Sequence, residues 1–280
     1  MSAGAAVGVV VPAHRETGSL DLLLRSLAAL EHDGPVHVVV AVDGAHPATI
    51  AVAERHGVTV VPLARNGGSY AARNAALAAL PEGLDAVLFT DADCVVTPQW
   101  VGAHLAALQD ADLSGGDVRF TFRRTRPSPA EWVDACRHLK QQVYVERDGF
   151  AATCNLAVRA SVLREHRFDG SMRTGGDAEF CRRTGGRLVF NPDAVVEHPA
   201  RTLKELRTKV ARLASGVPGQ AERWRDRPLP PRRLTRGIWR RAQAAGHDVG
   251  PVWGVTACLL DWHLSQQVRR AVLRLPGRTR

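Results

Sequence analysis

Residues 87–93, Val-Leu-Phe-Thr-Asp-Ala-Asp, organise the chain, because an apolar run of strand length ends there in two carboxylates. Alternate side chains of a strand share a face, so Asp91 and Asp93 can point the same way at the carboxyl end of a buried strand, where open α/β sheets bind ligands. Two such carboxylates repel each other unless a cation, a proton or a hydrogen-bond donor lies between them. Oxygen ligands beside a phosphate favour Mg²⁺ or Mn²⁺. Two solvated turn aspartates are the alternative interpretation.

Length and composition predict a globular protein. The 280 residues suffice for one large domain, or for one domain with an appendage. Five scattered cysteines form no Cys-x-x-Cys pair, so reduced thiols are the simplest interpretation. We see neither a secretion signal nor a run of about 18 uncharged apolar residues that would indicate a transmembrane helix. We therefore expect a cytoplasmic protein.

The net charge of +9 is unevenly distributed. From residue 201 onward the chain has 18 Lys and Arg against 5 Asp and Glu, whereas the first 200 residues carry a net charge of −4. This tail predicts an anionic partner, and a peripheral contact with the inner face of a membrane is one interpretation. The alternative is a helical appendage with solvated arginines, which can also pack on the body or form a homodimer. No RNA-binding or helix-turn-helix signature is present, so we expect no nucleic acid.

Strand and helix patterns alternate along the first 90 residues. We predict strands at 7–12, 36–42, 58–62 and 85–90, with an amphipathic helix after each of the first three. This order is typical of an α/β fold, with a mostly parallel sheet and helices on both faces. Carboxyl ends of such strands meet at one edge, so Glu16, Asp43, Asp91 and Asp93 should converge on one crevice. The chain has no Gly-x-Gly-x-x-Gly and no P-loop motif, which disfavours those two nucleotide-binding classes.

We divide the chain into a nucleotide-binding half at 1–110, an acceptor-binding half at 111–200 and a basic helical extension at 201–280. The pattern predicts an extended segment at 112–122 broken at Gly115-Gly116, a long helix at 129–147, short strands at 188–191 and 194–197, and basic helices at 235–245 and 253–273.

Four stretches together resemble the GT-A glycosyltransferases of family 2. They are Val-Val-Val-Pro-Ala-His-Arg-Glu at 9–16, Val-Asp-Gly at 42–44, Gly-Gly-Ser-Tyr-Ala-Ala-Arg-Asn-Ala-Ala-Leu at 67–77 and Phe-Thr-Asp-Ala-Asp at 89–93. The resemblance covers about the first hundred residues and implies a nucleotide diphosphate sugar as donor. It implies that the donor is bound by Pro12, Ala13, Glu16, Asp43, Gly68, Arg73, Asp91, Ala92 and Asp93.

The same resemblance gives individual roles to these residues. Glu16 would lie near the ribose, and Asp43 would accept a hydrogen bond from the base, which suits a uracil imide and favours a UDP-sugar. Arg73 would meet a phosphate or Asp91. Asp93 would hold Mn²⁺ or Mg²⁺ at the diphosphate, with Asp91 as a ribose or metal ligand.

In the second half, Thr-Gly-Gly-Asp at 174–177 matches the family position of the general base. Asp177 would take that role, although Gly176 stands where many members have Glu. The resemblance implies an acceptor site at Thr153, Asn155 and Gly176. It implies a further metal ligand at His198, for which a purely structural role is the alternative.

We therefore predict a metal-dependent, inverting glycosyltransferase that transfers a sugar to the hydroxyl of an unidentified acceptor. One alternative is a sugar nucleotidyltransferase, which the glycine-poor loop after the first strand disfavours. Another is a non-catalytic protein whose basic tail binds an anionic surface. Gln-Ala-Glu-Arg-Trp at 220–224 matches a motif of processive family 2 synthases, but we interpret it as a chance match.

Overall fold

The structure is a computed structural model and describes residues 4–216, 229 and 234–275. The chain forms two compact units. Unit 1 comprises Met1–Arg119 and Leu139–His198, and unit 2 comprises Phe120–His138 and Pro199–Arg280. The 220–224 motif and most of the Pro-rich stretch after it lie outside the described residues. Within the described residues, no helix combines the length and the apolar character that a membrane crossing requires.

An eight-stranded sheet organises unit 1, in the order β3-β2-β1-β4-β7-β6-β8-β5. The strands are β1 (Val7–Ala13), β2 (Val36–Asp43), β3 (Thr59–Leu63), β4 (Ala86–Thr90), β5 (Val95–Val96), β6 (Leu113–Thr121), β7 (Asn155–Arg159) and β8 (Leu188–Pro199). The four N-terminal strands pair in parallel, as their helical crossovers require. From β7 onward the recorded pairings are antiparallel, so the parallel character belongs to the first half of the sheet.

Helices cover both faces of this sheet, which confirms the predicted α/β class. They are α1 (Gly18–Ala28), α2 (Pro47–Arg55), α3 (Ser69–Ala78), α4 (Trp100–Ala107), α6 (Gln141–Glu146), α7 (Ala160–Glu165) and α8 (Gly176–Thr184). Strand alternation divides the apolar side chains between two cores. Val9 and Val11 face the core that contains α1 and α4, whereas Val10 faces the core that contains α3 and α8.

Two predicted elements of the middle of the chain differ in the structure. The segment 188–197 is one continuous strand, β8, and Pro192-Asp193 does not interrupt it. Its partner β5 pairs only with Val196 and Glu197, so no β5 hydrogen bond is needed at Pro192. Likewise, β6 runs through Gly115-Gly116 without a break.

Unit 2 is a helical cluster. It contains α5 (Pro129–Arg137), α9 (Leu203–Gly216), α10 (Gly237–Ala244) and α11 (Pro251–Leu273), so the two predicted basic helices are confirmed. The predicted long helix at 129–147 is wrong, because α5 ends at Arg137 and Leu139 has a φ of 50°. Trp132 of α5 is buried among apolar residues of the other three helices, and its indole donates to the carbonyl of Ile238 at 3.0 Å. Residues 120–138 therefore belong to unit 2, and not to the acceptor-binding half into which the sequence placed them.

Candidate active site

The carboxyl ends of neighbouring parallel strands bring three acidic side chains to one edge of the sheet. Asp43 is the last residue of β2, and Asp91 and Asp93 follow β4. Strand β1 pairs with both β2 and β4, so its own end at Pro12 and Ala13 lies between them. The convergence expected from the sequence is therefore observed for these strand ends.

Asp43 fixes the loop that leads into α3. Its two carboxylate oxygens accept hydrogen bonds from the amides of Gly67 and Gly68, at 2.7 and 2.8 Å. Gly68 has a φ of 94°, a conformation that residues with a Cβ rarely adopt. Only 5% of Asp43 is exposed, so this carboxylate shapes the loop directly, in addition to any contact with a ligand.

The first turns of α3 contact two further carboxylates, those of Asp91 and Asp177. Tyr70 and Arg73 are three residues apart and share a helix face, with the guanidinium 5.7 Å from the centre of the tyrosine ring. Arg73 is 2% exposed and forms an ion pair with Asp91, the first carboxylate after β4. Tyr70 donates a hydrogen bond to Asp177 at 2.5 Å.

Asp177 lies in the first turn of α8, where the helix dipole favours a carboxylate. Besides the bond from Tyr70, the amide and hydroxyl of Thr153 approach its oxygens at 3.4 and 3.5 Å. Burial raises the pKa of Tyr70 well above its usual 10, and the negative Asp177 adds to this effect. The phenol therefore stays protonated at neutral pH and remains a donor to Asp177.

Gly176 and Thr153 are buried residues that pack beside Tyr70 and Asp177. A Cβ on Gly176 would lie 2.7 Å from the Tyr70 ring, so only glycine lets the start of α8 approach that ring. Thr153 is 3% exposed. Both were predicted to contact an acceptor, and in the structure both are buried beside Asp177 and Tyr70.

Asp93 and His198 form a second pair at the site. The short strand β5 follows Asp93 and pairs with β8 near its end, which brings His198 Nε2 to 3.6 Å from Asp93 Oδ2. The His198 side chain is 1% exposed and that of Asp93 is 38% exposed. A carboxylate oxygen and an imidazole nitrogen that face each other suit Mn²⁺, and also Mg²⁺ if substrate oxygens complete its coordination.

The three predicted metal ligands do not come together as one cluster. Among the described residues, no group of three or more His, Cys, Asp or Glu side chains could hold a metal ion. Asp91 instead pairs with Arg73. A metal here would have two protein ligands, with the rest supplied by substrate and water, as is usual for ions bound through phosphates.

The loop after β1 is held by its own polar groups. Glu16 accepts hydrogen bonds from the amides of His14 and Arg15, at 2.6 and 3.0 Å. The His14 ring contacts the carbonyl of Asp43, which ties this loop to the end of β2. Ala13 and Ala92 are only 3% and 4% exposed, so a donor could reach them mainly through their backbone.

The assignment of Asn155 to the acceptor site is wrong. Its side chain is fully buried, and its oxygen accepts hydrogen bonds from Trp100 Nε1 at 2.8 Å and His104 Nε2 at 2.9 Å. Its amide nitrogen donates to the carbonyls of Asp117 and Ala194, at 2.7 and 2.8 Å. These four bonds use the whole amide, so Asn155 has a structural role.

Tyr70 and Arg173 are two residues of the candidate site that were not predicted from the sequence. Tyr70 lies in a predicted helix, and its hydroxyl needs a partner once it is buried. Arg173 hydrogen-bonds the side chain and the carbonyl of Asn66, both at 3.2 Å, and its guanidinium lies 2.8 Å from the position of a Cβ on Gly68. No local pattern connects Arg173 with that loop.

The sequence of this chain matches a family of known proteins. Residues 8–167, more than half of the chain, match the family described as Glycosyl transferase family 2. No curated protein sequence matches the chain.

Solved structures share the architecture at low sequence identity. S. aureus TarS residues 1–349, crystallised in complex with UDP-GlcNAc, has a TM-score of 0.59 and 18% identity over 80% of this chain and 68% of that chain. The mannosyltransferase PcManGT from Pyrobaculum calidifontis, in complex with GDP-Man and Mn²⁺, has a TM-score of 0.58 and 17% identity over 96% of this chain and 73% of that chain. These similarities confirm the GT-A fold that the sequence resemblance implied, and the family match makes the chain a member of glycosyl transferase family 2.

Proposed function

We propose that this glycosyltransferase is metal-dependent and inverting, and that it transfers a sugar from a nucleotide diphosphate sugar to an acceptor hydroxyl. One observation carries the proposal: Arg73 and Tyr70 of α3 bind Asp91 and Asp177. Asp93, two residues after Asp91 at the edge where β1, β2 and β4 end, lies beside His198. Open α/β sheets bind their ligands in the crevice outside the carboxyl ends of the strands.

The donor would lie across these strand ends. Pro12, Glu16 and Asp43 would line the nucleoside part, and Gly68 and Arg73 would lie beneath it. A UDP-sugar is favoured, because an acceptor such as Asp43 suits a uracil imide. TarS and PcManGT were crystallised with a UDP-sugar and a GDP-sugar, respectively, so both bases belong in the test.

A divalent ion at Asp93 and His198 would offset negative charge on the leaving diphosphate. Asp177 would accept the proton of the acceptor hydroxyl as its oxygen forms the bond to the anomeric carbon. The bond between that carbon and the diphosphate oxygen breaks, and the nucleoside diphosphate leaves with the electron pair. Attack on the face opposite the leaving group inverts the centre. A cytoplasmic location is part of the proposal, because the five cysteines are scattered in the sequence as expected of reduced thiols.

The test measures turnover and donor binding separately. Wild-type protein is assayed with UDP-, GDP- and dTDP-sugars in Mn²⁺, in Mg²⁺ and in EDTA, with release of nucleoside diphosphate as the readout. We expect turnover of at least one donor, and its loss in EDTA. Turnover that persists without divalent ions would contradict the metal dependence, and no turnover of any donor with a panel of acceptors would contradict the proposal as a whole.

Two substitutions separate the proposed roles. Asp93→Ala should abolish metal-dependent nucleotide binding, whereas Asp177→Asn should leave donor affinity intact and remove turnover. Asp110→Asn, at an exposed carboxylate after α4, is the matched control and should change neither. An equal loss of donor affinity in the Asp93 and Asp177 variants would reassign Asp177 to donor binding.

A further inference from the structure

The outward face of α11 carries an apolar stripe. Val252, Val255, Leu259 and Trp262 are 82%, 49%, 48% and 37% exposed, and their spacing of three, four and three residues places them on one side of the helix. We call these four residues the α11 stripe. The opposite side of α11 is buried in unit 2. The helix is therefore apolar on two faces along its first three turns.

Unit 2 as a whole is strongly basic in sequence. Unit 2 contains 22 Lys and Arg against 7 Asp and Glu, a net charge of +15, whereas unit 1 has a net charge of −6. Three of the acidic residues in the described part of unit 2 are buried and paired with arginines, namely Glu131, Asp134 and Asp261. Among the described residues of unit 2, only Glu205 and Asp248 then remain as exposed acids.

Basic residues follow the stripe along the same helix. No charged residue lies between Asp248 and Asp261, and Arg269, Arg270 and Arg274 come after the stripe. Arg270 and Arg274 are exposed. An exposed apolar stripe, followed by cations on a helix of a basic unit, is a combination that favours binding at the interface of an anionic membrane.

We propose that α11 binds the surface of an anionic lipid bilayer, with the stripe inserted at the headgroup boundary and the arginines of unit 2 on the lipid phosphates. Each Lys or Arg near such a surface adds attraction, and the effect is screened by salt. Insertion removes the exposed Val, Leu and Trp side chains from water.

A second copy of the chain fits this surface less well. It would bring two units of net charge +15 together. Four side chains on one helix also offer much less than the roughly 800 Å² per partner that a stable interface buries. A nucleic acid would match the charge but would leave the stripe in water, because its backbone offers no apolar surface.

The test uses the full-length chain with vesicles of phosphatidylcholine alone, and with about one third phosphatidylglycerol, in a sedimentation assay. We expect binding to the anionic vesicles only, and weaker binding in high salt. Leu259→Glu should lower the affinity by about tenfold or more. Leu22→Glu, at a 58% exposed leucine of α1 in unit 1, is the matched control and should bind like the wild type.

Several outcomes would overturn this inference. They are equal binding to neutral and anionic vesicles, no binding to either, and equal effects of the Leu259 and Leu22 variants. A dimer in light scattering that Leu259→Glu dissociates would assign the stripe to a second copy instead. Thermal melting of both variants verifies that they fold. Donor turnover on soluble acceptors should be unchanged in Leu259→Glu, so the membrane inference and the proposed activity can fail independently.

Discussion

Tyr70→Phe tests whether a buried phenol positions the proposed base. The substitution keeps the ring, which is stacked on Phe168 at 5.9 Å, and removes only the hydroxyl that donates to Asp177 at 2.5 Å. A hydrogen bond to a charged group contributes about 1.5–3 kcal/mol. After its loss, the Asp177 carboxylate retains the longer contacts of 3.4 and 3.5 Å from Thr153, and the Asp177 amide loses its 3.3 Å hydrogen bond to the phenol oxygen. If about 2 kcal/mol is then needed to orient the carboxylate for attack, kcat falls by about 30-fold.

The assay is steady-state turnover at saturating metal, with Kd for the donor measured separately. We expect the loss in kcat, and a donor Kd within about twofold of wild type, since the hydroxyl contacts Asp177 and not the loop at Gly68. Tyr144→Phe, at the chain's only other tyrosine, is the matched control and should leave kcat unchanged. An unchanged kcat in Tyr70→Phe, alongside an inactive Asp177→Asn, would refute the positioning role. A loss confined to donor affinity would instead place Tyr70 in the donor site.

Two further predictions concern the buried amide network. Asn155→Ala leaves three buried partners and the half-buried carbonyl of Asp117 without their bonds, at about 1 kcal/mol each. Urea denaturation should therefore show a free energy of unfolding lower by about 3–4 kcal/mol, and a loss below about 1 kcal/mol would contradict this role. Burial lowers the pKa of His104 from 6.5 to about 4, so the unfolded chain binds that proton first as the pH falls. His104 should therefore contribute a fall in stability of about 3 kcal/mol between about pH 6.5 and about pH 4, separate from that of His138, whose pKa burial also lowers to about 4. His104→Gln should remove most of that part of the pH dependence, and an unaltered dependence would show that His104 does not cause it.

The first half of the fold was predicted well because each of its strands and helices can be recognised from residues that are close together in the sequence. In the sequence, buried parallel strands are short runs of β-branched residues, and the helices between them have apolar residues at helical spacing. The carboxylates at the strand ends could be predicted to converge for the same reason, because parallel strands must end at one edge. Asp43, Asp91 and Asp93 follow from this topology alone.

The failures have in common that the partners lie far away in sequence. Asn155 lies in a small-residue stretch whose pattern suits a ligand site equally well, and its four partners are 38 to 55 residues away. Tyr70 and Asp177 are 107 residues apart. An amphipathic helix shows which face it buries but not what covers that face, and so α5 could not be assigned to unit 2 from its own pattern.

One helix connects the parts of the proposed site that the chain supplies from separate segments. The amides of Gly67 and Gly68, just before α3, bind the carboxylate of Asp43 at the end of β2. Two side chains of α3 bind the carboxylates that follow β4 and begin α8, because Arg73 pairs with Asp91 and Tyr70 donates to Asp177. These contacts come from seven consecutive residues, 67–73. A shift of the start of α3 would therefore displace Asp43, at the proposed nucleoside site, together with Asp177, the proposed catalytic base. Asp93 is different, because its neighbour His198 comes from β8 and not from α3. The geometry therefore separates the two proposed metal ligands, which depend on the antiparallel edge of the sheet, from the remaining carboxylates, which depend on the start of α3.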